Sequence, residues 1–443
     1  MATKVSKLDK KKESALGKFE RTERIALAAI GMEAEFAITV DGMPARPENV
    51  FGTPRNFIRG PLMHRKGRSY HLPTGGAVYF DTGVIEVATP IIEIERGCAA
   101  RAGRSLWEGI LFIREELDAW ENRHGKDVAL VGFSAHYNIS FDIPPHRRQR
   151  GRTIEKLALL LAYILPMPVM LLAANRRSTG VGVRPRGDRI EITADFTPSA
   201  ALMIATGTLI VGIVREVMRW PSFELSELEE TNIPVLRDFR PVPHTTRKGW
   251  LARYTSFVRN PFTVDIDDAV WPTRDGRTLS LRDVAGQITK HFWPSIRRLS
   301  DPFSLRLIGS VIRGRAPSLL DLDDRPDYYS DVGRGCTWDN LFSEQMLPRS
   351  RYERVIIHAI SGEQLHINGD WYKPVGMRGW SQVVFRRKTD GSRHIFSLDY
   401  LLDHLRNWDA PPGHRSGEKT VRRPRSRAEQ RARRARKSRA RQA

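Results

Sequence analysis

The sequence predicts an α+β protein that carries a small α/β unit towards its C-terminal end. Three observations lead there. Short apolar runs with strand-like patterning are bounded by hairpin signals at Asp41-Gly42 and Thr82-Gly83. Long stretches of helical period alternate with them, Cys98 to His124 above all. After about residue 349 the pattern changes to closely spaced strands.

The 443 residues are 40% apolar and 28% charged, which suits a globular protein with unfolded additions. The net charge of +21 is concentrated at the ends. From His414 onward 13 Arg and Lys face 2 acids, and residues 1–24 add a smaller excess. Residues 1–24 and 411–443 are expected to be basic and disordered, flanking a main body at 25–349 and a unit at 350–410. The Arg-rich tail suits nucleic acid, an acidic protein, or solvent alone. Two cysteines, Cys98 and Cys336, exclude a disulfide framework and a thiolate zinc site and fit a cytoplasmic protein. No signal peptide is read at the start. Leu157 to Ala174 lacks charge over about eighteen residues, the edge of spanning length. Its Pro166 and Pro168 favour a broken, buried helix over a membrane span, and Ala200 to Val214 reads the same way.

Ile25 to Val40 reads as a strand in which Glu33 and Glu35 share a face. Adjacent carboxylates repel, and a cation between them removes that cost. A cation site is the preferred reading, with a solvated edge strand as the other. Residues 44–72, rich in Arg, Pro and Gly, are expected to pass over the sheet as an excursion. Gly75 to Pro90 then reads as two strands turning at Thr82-Gly83, with Asp81 and Glu86 set among apolar residues. Acids in such a run need partners. The helix Cys98 to His124 carries a stripe of Leu106, Ile110, Ile113, Leu117 and Trp120, and Gly125 ends it. Val128 to Phe141 continues extended, with His136, Asn138 and Ser140 on one face.

From Asn175 to Pro198, Arg176, Arg177, Arg184, Arg186 and Arg189 crowd a glycine-containing loop and the start of a strand that carries Glu191. Arginine forks hold phosphates and carboxylates bidentately. An arginine loop beside a strand acid is one way to hold a nucleotide phosphate next to a metal. A plain Arg189–Glu191 ion pair within the strand is the simpler alternative.

These residues resemble the glutamine synthetase-like carboxylate-amine ligases, most of all the Pup ligase and Pup deamidase branch. Gly31-Met32-Glu33-Ala34-Glu35-Phe36 is similar to that branch's Gly-x-Glu-x-Glu-Phe/Tyr opening. Val78-Tyr79-Phe80-Asp81 and Glu86-Val87-Ala88-Thr89-Pro90 are similar to its Leu-Tyr-x-Asp and Pro-Glu-Tyr-Ala/Ser-Thr signature. His136 falls where the branch carries a histidine on its next strand. Asn175-Arg176-Arg177-Ser178 and Arg189-Ile190-Glu191 resemble the Asn-Arg-Ser loop and Arg-Ile-Glu strand of glutamine synthetase itself. The resemblance covers roughly residues 25 to 220.

It implies a curved, mostly antiparallel sheet forming a cradle, with helices on its outer side, and ATP with Mg²⁺ as cofactors. Glu35 and Glu86 would hold one metal, and Glu33, His136 and Glu191 the metal that touches the nucleotide. Arg189, with Arg176, Arg177 or Arg184, would face the transferred phosphoryl, and Asp81 would be catalytic. The substrates implied are a carboxylate and an amine, with a small protein modifier and target lysines as the model case. Departures exist: the turn between Asp81 and Glu86 lacks the branch's His-Pro, Glu191 stands where it uses His, and Thr193 stands where glutamine synthetase has a second arginine.

Residues 219–349 show no chemical motif. Helices are expected near Leu279 to Phe292 and Ile296 to Val311, and Asp321 to Asp324 reads as an exposed acidic turn. In the last unit, strands are expected at Arg354–Ile360, Gln364–Ile367, Asp370–Pro374, Trp380–Arg386 and His394–Leu398, then a helix at Leu398–Trp408. The expected function is an ATP- and Mg²⁺-dependent carboxylate-amine ligase working through an acyl phosphate. A nucleotide-dependent amide or isopeptide hydrolase, and a non-catalytic ligase fold acting through its basic tail, are the alternatives.

Overall fold

β1 (Ala29–Val40) turns Ile30, Met32, Ala34, Phe36 and Ile38 inward, and the residues between them face the other side. The chain was described with a computed structural model covering residues 28–140, 153–175, 178–187, 189–197, 199–244, 249–321, 329, 331–334 and 347–409. The basic ends, Arg176, Arg177, Leu322 to Asp324 and Cys336 lie outside the described residues.

After β1 come β2 (Met43–Ala45), the short helix α1 (Pro47–Phe51), β3 (Met63–Lys66), β4 (Ser69–His71), β5 (Ala77–Asp81), β6 (Val84–Ala88) and β7 (Ile92–Glu93). The long helix α2 (Cys98–His124) leads to β8 (Val128–Ser140). Helices α3 (Ile154–Ile164) and α4 (Pro166–Ala173) precede β9 (Val181–Pro185) and β10 (Arg189–Asp195). Then follow α5 (Ala200–Val217), α6 (Glu227–Glu230), β11 (Val242–Pro243) and β12 (Trp250–Ala252). These twelve strands form one sheet in the order β11-β12-β9-β10-β8-β1-β6-β5-β4-β3, with β2 and β7 also paired to β1. Every pairing in it is antiparallel.

Helices cover one face of this sheet: α2 lies on β1 and β6, α5 on β8, and α4 on β9 and β10. The stripe on α2 is buried as its spacing requires, and Gly125 ends the helix in the left-handed region at φ 63°. The break before Pro166 bends α3 and α4 apart by 59°. α5 is long and apolar enough to cross a membrane, yet 83% of it is buried against neighbouring elements. It packs closely because Gly212 leaves room: a Cβ there would lie 2.7 Å from Ile296 Cα.

The short hairpin of β13 (Trp271–Pro272) and β14 (Thr278–Leu279) precedes α7 (Leu281–Leu299) and α8 (Pro302–Ile312). The expected break near residues 293–295 is absent, since α7 runs through Pro294 to Leu299. A helix tolerates one proline when its buried face is strong, and Ile288, Phe292, Ile296 and Leu299 are buried. Asp321 is exposed, as an acidic turn requires, and it also accepts from Ser318 N and faces Arg282. Residues 44–72 are not an excursion, because β3 and β4 extend the sheet to its edge.

The C-terminal unit has its own hydrophobic cluster. The segment expected as its first strand is instead α9 (Arg351–Ile360). A capping box explains this: Ser350 and Glu353 satisfy each other's backbone amides, and the apolar positions follow a helical period. Then come β15 (Gln364–Ile367), β16 (Asp370–Arg378), β17 (Gln382–Arg387), β18 (Arg393–Ser397), α10 (Leu398–Asp403) and β19 (Trp408–Asp409). The last helix is thus shorter than expected, and β19 closes the sheet order β18-β17-β16-β15-β19.

A buried ion pair ties this unit to the main body. Arg104 of α2 donates through Nη2 to both oxygens of Glu353, at 2.5 and 2.7 Å, and Glu353 is fully buried. Removing one partner leaves an uncompensated buried charge. Glu353→Ala is therefore expected to destabilise the chain by about 3–5 kcal/mol. Denaturant unfolding checks this, and a loss within experimental error would contradict it.

Candidate active site

Register assembles the site. β1 pairs β6 and β8 so that Glu33 faces His136, while Glu35 faces Glu86 on one side and Ser134 on the other. Tyr79 of β5 faces Glu86 in turn. Because side chains alternate along each strand, all of these lie on the sheet face turned away from α2 and α5. A register irregularity beside Glu35 and Phe36 leaves Phe133 as an extra, exposed residue in β8.

Glu33, Glu86 and His136 bring ligand atoms within 4.8 Å of one another. Glu86 is buried, and the Tyr79 hydroxyl donates to its Oε1. Burial, then the charge of Glu33, pushes the Glu86 carboxyl far above the usual range, against the pull of the Tyr79 hydrogen bond. Burial acts the same way on Glu33, but the hydrogen bond and charge of His136, with Arg189 and a hydrogen bond to Glu86, outweigh it. Glu33 is thereby held well below its ordinary value. The two carboxyls are thus pushed in opposite directions, Glu86 towards its neutral form and Glu33 towards its charged form. His136 Nδ1 lies 3.4 Å from Glu33 Oε2, and its Nε2 lies 3.6 Å from Glu35 Oε1 and 3.3 Å from Ser134 Oγ. Burial would lower the histidine, but the hydrogen bond to Glu33 and the charges of Glu35, Glu33 and Glu191 raise it.

The other expected residues are distributed around this group. Glu35 is beside it and accepts from Ser134 Oγ at 2.6 Å. Glu191 is buried but belongs to an arginine clamp: Arg184 pairs with it, and Arg186 donates bidentately at 2.8 Å. It does not converge with the other three ligands. Arg189 donates to Asn138 Oδ1 at 2.8 Å instead of pairing with Glu191, and its charge reaches Glu33. Asp81 stands exposed at the β5–β6 turn, two residues along from Tyr79, and accepts from Thr82 Oγ1 at 2.9 Å. Asp195 accepts from Asn175 N at 2.7 Å and Ser178 Oγ at 3.1 Å, and so anchors both ends of the loop that contains Arg176 and Arg177.

Three contributors were not assigned a role from the sequence. Tyr79 was visible only as a motif letter. Arg186 was one of five arginines with no way to rank them. Arg65 sits on β3, inside the segment read as an excursion, and its Met63-to-His71 strand–turn–strand pattern is the signal that would have placed it.

Two carboxylates and an imidazole at this separation suit a divalent cation, and Mg²⁺ accepts a few carboxylate oxygens with waters or phosphates completing its shell. The sign of the pH effect follows. Glu86 titrates above its ordinary 4.5 in the folded chain, so its stabilising contribution is present at acid pH and lost as pH rises through the folded value; His136 acts in the same direction. The metal-free chain is expected to lose stability between about pH 5 and pH 8. Glu86→Gln, which keeps an acceptor for Tyr79, is expected to be more stable than the wild type at pH 8 by about 1–2 kcal/mol. Denaturant unfolding at both pH values decides this; a wild-type stability flat across that window would refute it.

No protein-family profile matches the chain, and no curated protein matches it. Solved structures do. A crystal structure of the complex between the prokaryotic ubiquitin-like protein Pup and its ligase PafA aligns over 86% of this chain and 93% of that one, with 11% identity and a TM-score of 0.44. A structure of the Pup ligase PafA in complex with ADP aligns over 76% of this chain and 90% of that one, with 10% identity and a TM-score of 0.37.

Proposed function

We propose that the protein is an ATP- and Mg²⁺-dependent carboxylate-amine ligase with a glutamine synthetase-type sheet. The observation that carries this is the Glu33–Glu86–His136 group, three convergent metal-type ligands on the open face of an antiparallel sheet, with Arg189 beside it. The motif order from Glu33 to Glu191 supports the same reading.

In this reaction a carboxylate oxygen attacks the γ-phosphorus of ATP, and ADP leaves. An amine then attacks the acyl carbon, loses a proton, and releases inorganic phosphate. Magnesium, when bound, would offset the negative charge of the phosphates. Glu33, Glu86 and His136 are the residues that would hold it. Arg189, oriented by Asn138, supplies fixed positive charge for the phosphoryl oxygens. Asp81, exposed on the same face as Tyr79, would take the proton of the incoming amine in this reading. The substrates in this reading are a small modifier protein's carboxylate and a lysine amine.

Calorimetry with Mg²⁺ and ATP tests the proposal. Binding is expected to require Mg²⁺, to survive moderate salt and truncation after Pro412, and to weaken in Glu33→Ala by more than the roughly 10–100-fold that loss of a supporting residue costs. Affinity should rise with pH, because Glu86 must give up its proton and His136 must be neutral before a cation is held. Binding that disappears with salt or with the tail would sink the proposal.

A further inference from the structure

Arg65 lies on β3, at the edge of the large sheet, and the C-terminal unit covers that edge. Its guanidinium carbon is 4.1 Å from the ring centre of Trp380, in the β16–β17 turn, and 5.8 Å from the ring centre of Tyr79. Tyr79 has two uses here: its face holds the arginine and its hydroxyl holds Glu86. Arg65 therefore sits one phenol ring away from the acid group, and its charge is felt by Glu33, Glu86 and Arg189.

What Arg65 lacks is an ion pair. Among the described residues its hydrogen-bond partner is Ser69 Oγ, at 3.2 Å, and its buried Nε has none. Buried arginines elsewhere among the described residues carry ion pairs: Arg104 with Glu353, Arg114 with Asp118 and Glu121. Ring faces hold a guanidinium in place without using its in-plane donors, so they stay available. The adjacent His71 adds no competing cation, because burial, then the charge of Arg65, lowers it to about 3.

We infer that Arg65, clamped between Trp380 and Tyr79, is a phosphate-binding residue of this site, and that Trp380 makes the C-terminal unit part of it. This rests on the ligase reading above. Arg65 on β3 and Arg189 on β10 then flank the acid group along the sheet, so a polyphosphate is held by cations on both sides. Arg65 binds the anion, and Trp380 is a positioning residue that acts through it.

The probes are adenosine, ADP and ATP with Mg²⁺, bound by calorimetry to the full chain, with Glu33→Ala as the control. Arg65→Met is expected to weaken ADP and ATP by about 10–100-fold while leaving adenosine unchanged. Arg65→Lys should recover part of the loss, since it returns the charge but not the planar fork. Trp380→Ala should give a smaller loss of the same kind, and Trp380→Phe, which keeps a ring face, should restore it. Unfolding midpoints of each variant identify any general loss of fold. Equal weakening of all three ligands, or full affinity in Arg65→Met while Glu33→Ala has lost it, overturns this inference and leaves the ligase reading standing. A wild type that binds neither nucleotide overturns both.

Discussion

Two carboxyl groups, Glu33 and Glu86, meet across adjacent strands, and much of this structure answers to that fact. Glu33 and Glu86 lie on paired strands, on a face that alternation fixes. Both cannot be ionised at this separation without compensation. Tyr79 donates to Glu86, His136 stands against Glu33, and arginines approach from either side. Each contribution lowers the cost of keeping acid on this face. None removes it, and a divalent cation is the species that would.

Much of this was legible beforehand because the informative signals were local. Period two put Glu33 and Glu35 on one face of β1, and His136 and Asn138 on one face of β8; the pairing of the two strands joins them. The Thr82-Gly83 turn fixed which residues of β5 meet β6. The α2 stripe told which side of that helix is buried. What could not be read were choices between chemically equal partners. Five arginines lie between Arg176 and Arg189, and any could have paired with Glu191. Strand order decides: β9 lies beside β10, so Arg184 sits opposite Glu191, while Arg189 is carried to Asn138 on β8. Arg65 was missed for the same kind of reason, since its neighbours come from residues 79 and 380. The α9 segment differs in kind: Val355, Ile356 and Ile357 would suit a strand, but the Ser350–Glu353 capping box just before them sets a helix.

The C-terminal unit is joined to the body by contacts of unlike character. The Arg104–Glu353 pair is buried and specific, and its worth lies in what breaking it would cost. Trp380 touches the main sheet through stacking on Arg65 and an edge contact with His71. The approach is close, with Gly376 set against the carbonyl of His64. An edge strand that would otherwise present free backbone groups is thereby covered.

The irregularity at Phe133 has a consequence for how this strand can change in length. Before it, Val128 and Leu130 face the helices; after it, Ala135, Tyr137 and Ile139 do. The parity of the buried positions switches at that one residue. Deleting Ala135 would set Ser134 opposite Ala34 and turn its hydroxyl into the core, because a one-residue slip exchanges the faces. Deleting Phe133 itself would not: Gly132 would stay opposite Phe36, and Ser134 opposite Glu35, in an uninterrupted ladder. The extra residue behaves as an insertion that the strand absorbed while His136 stayed opposite Glu33.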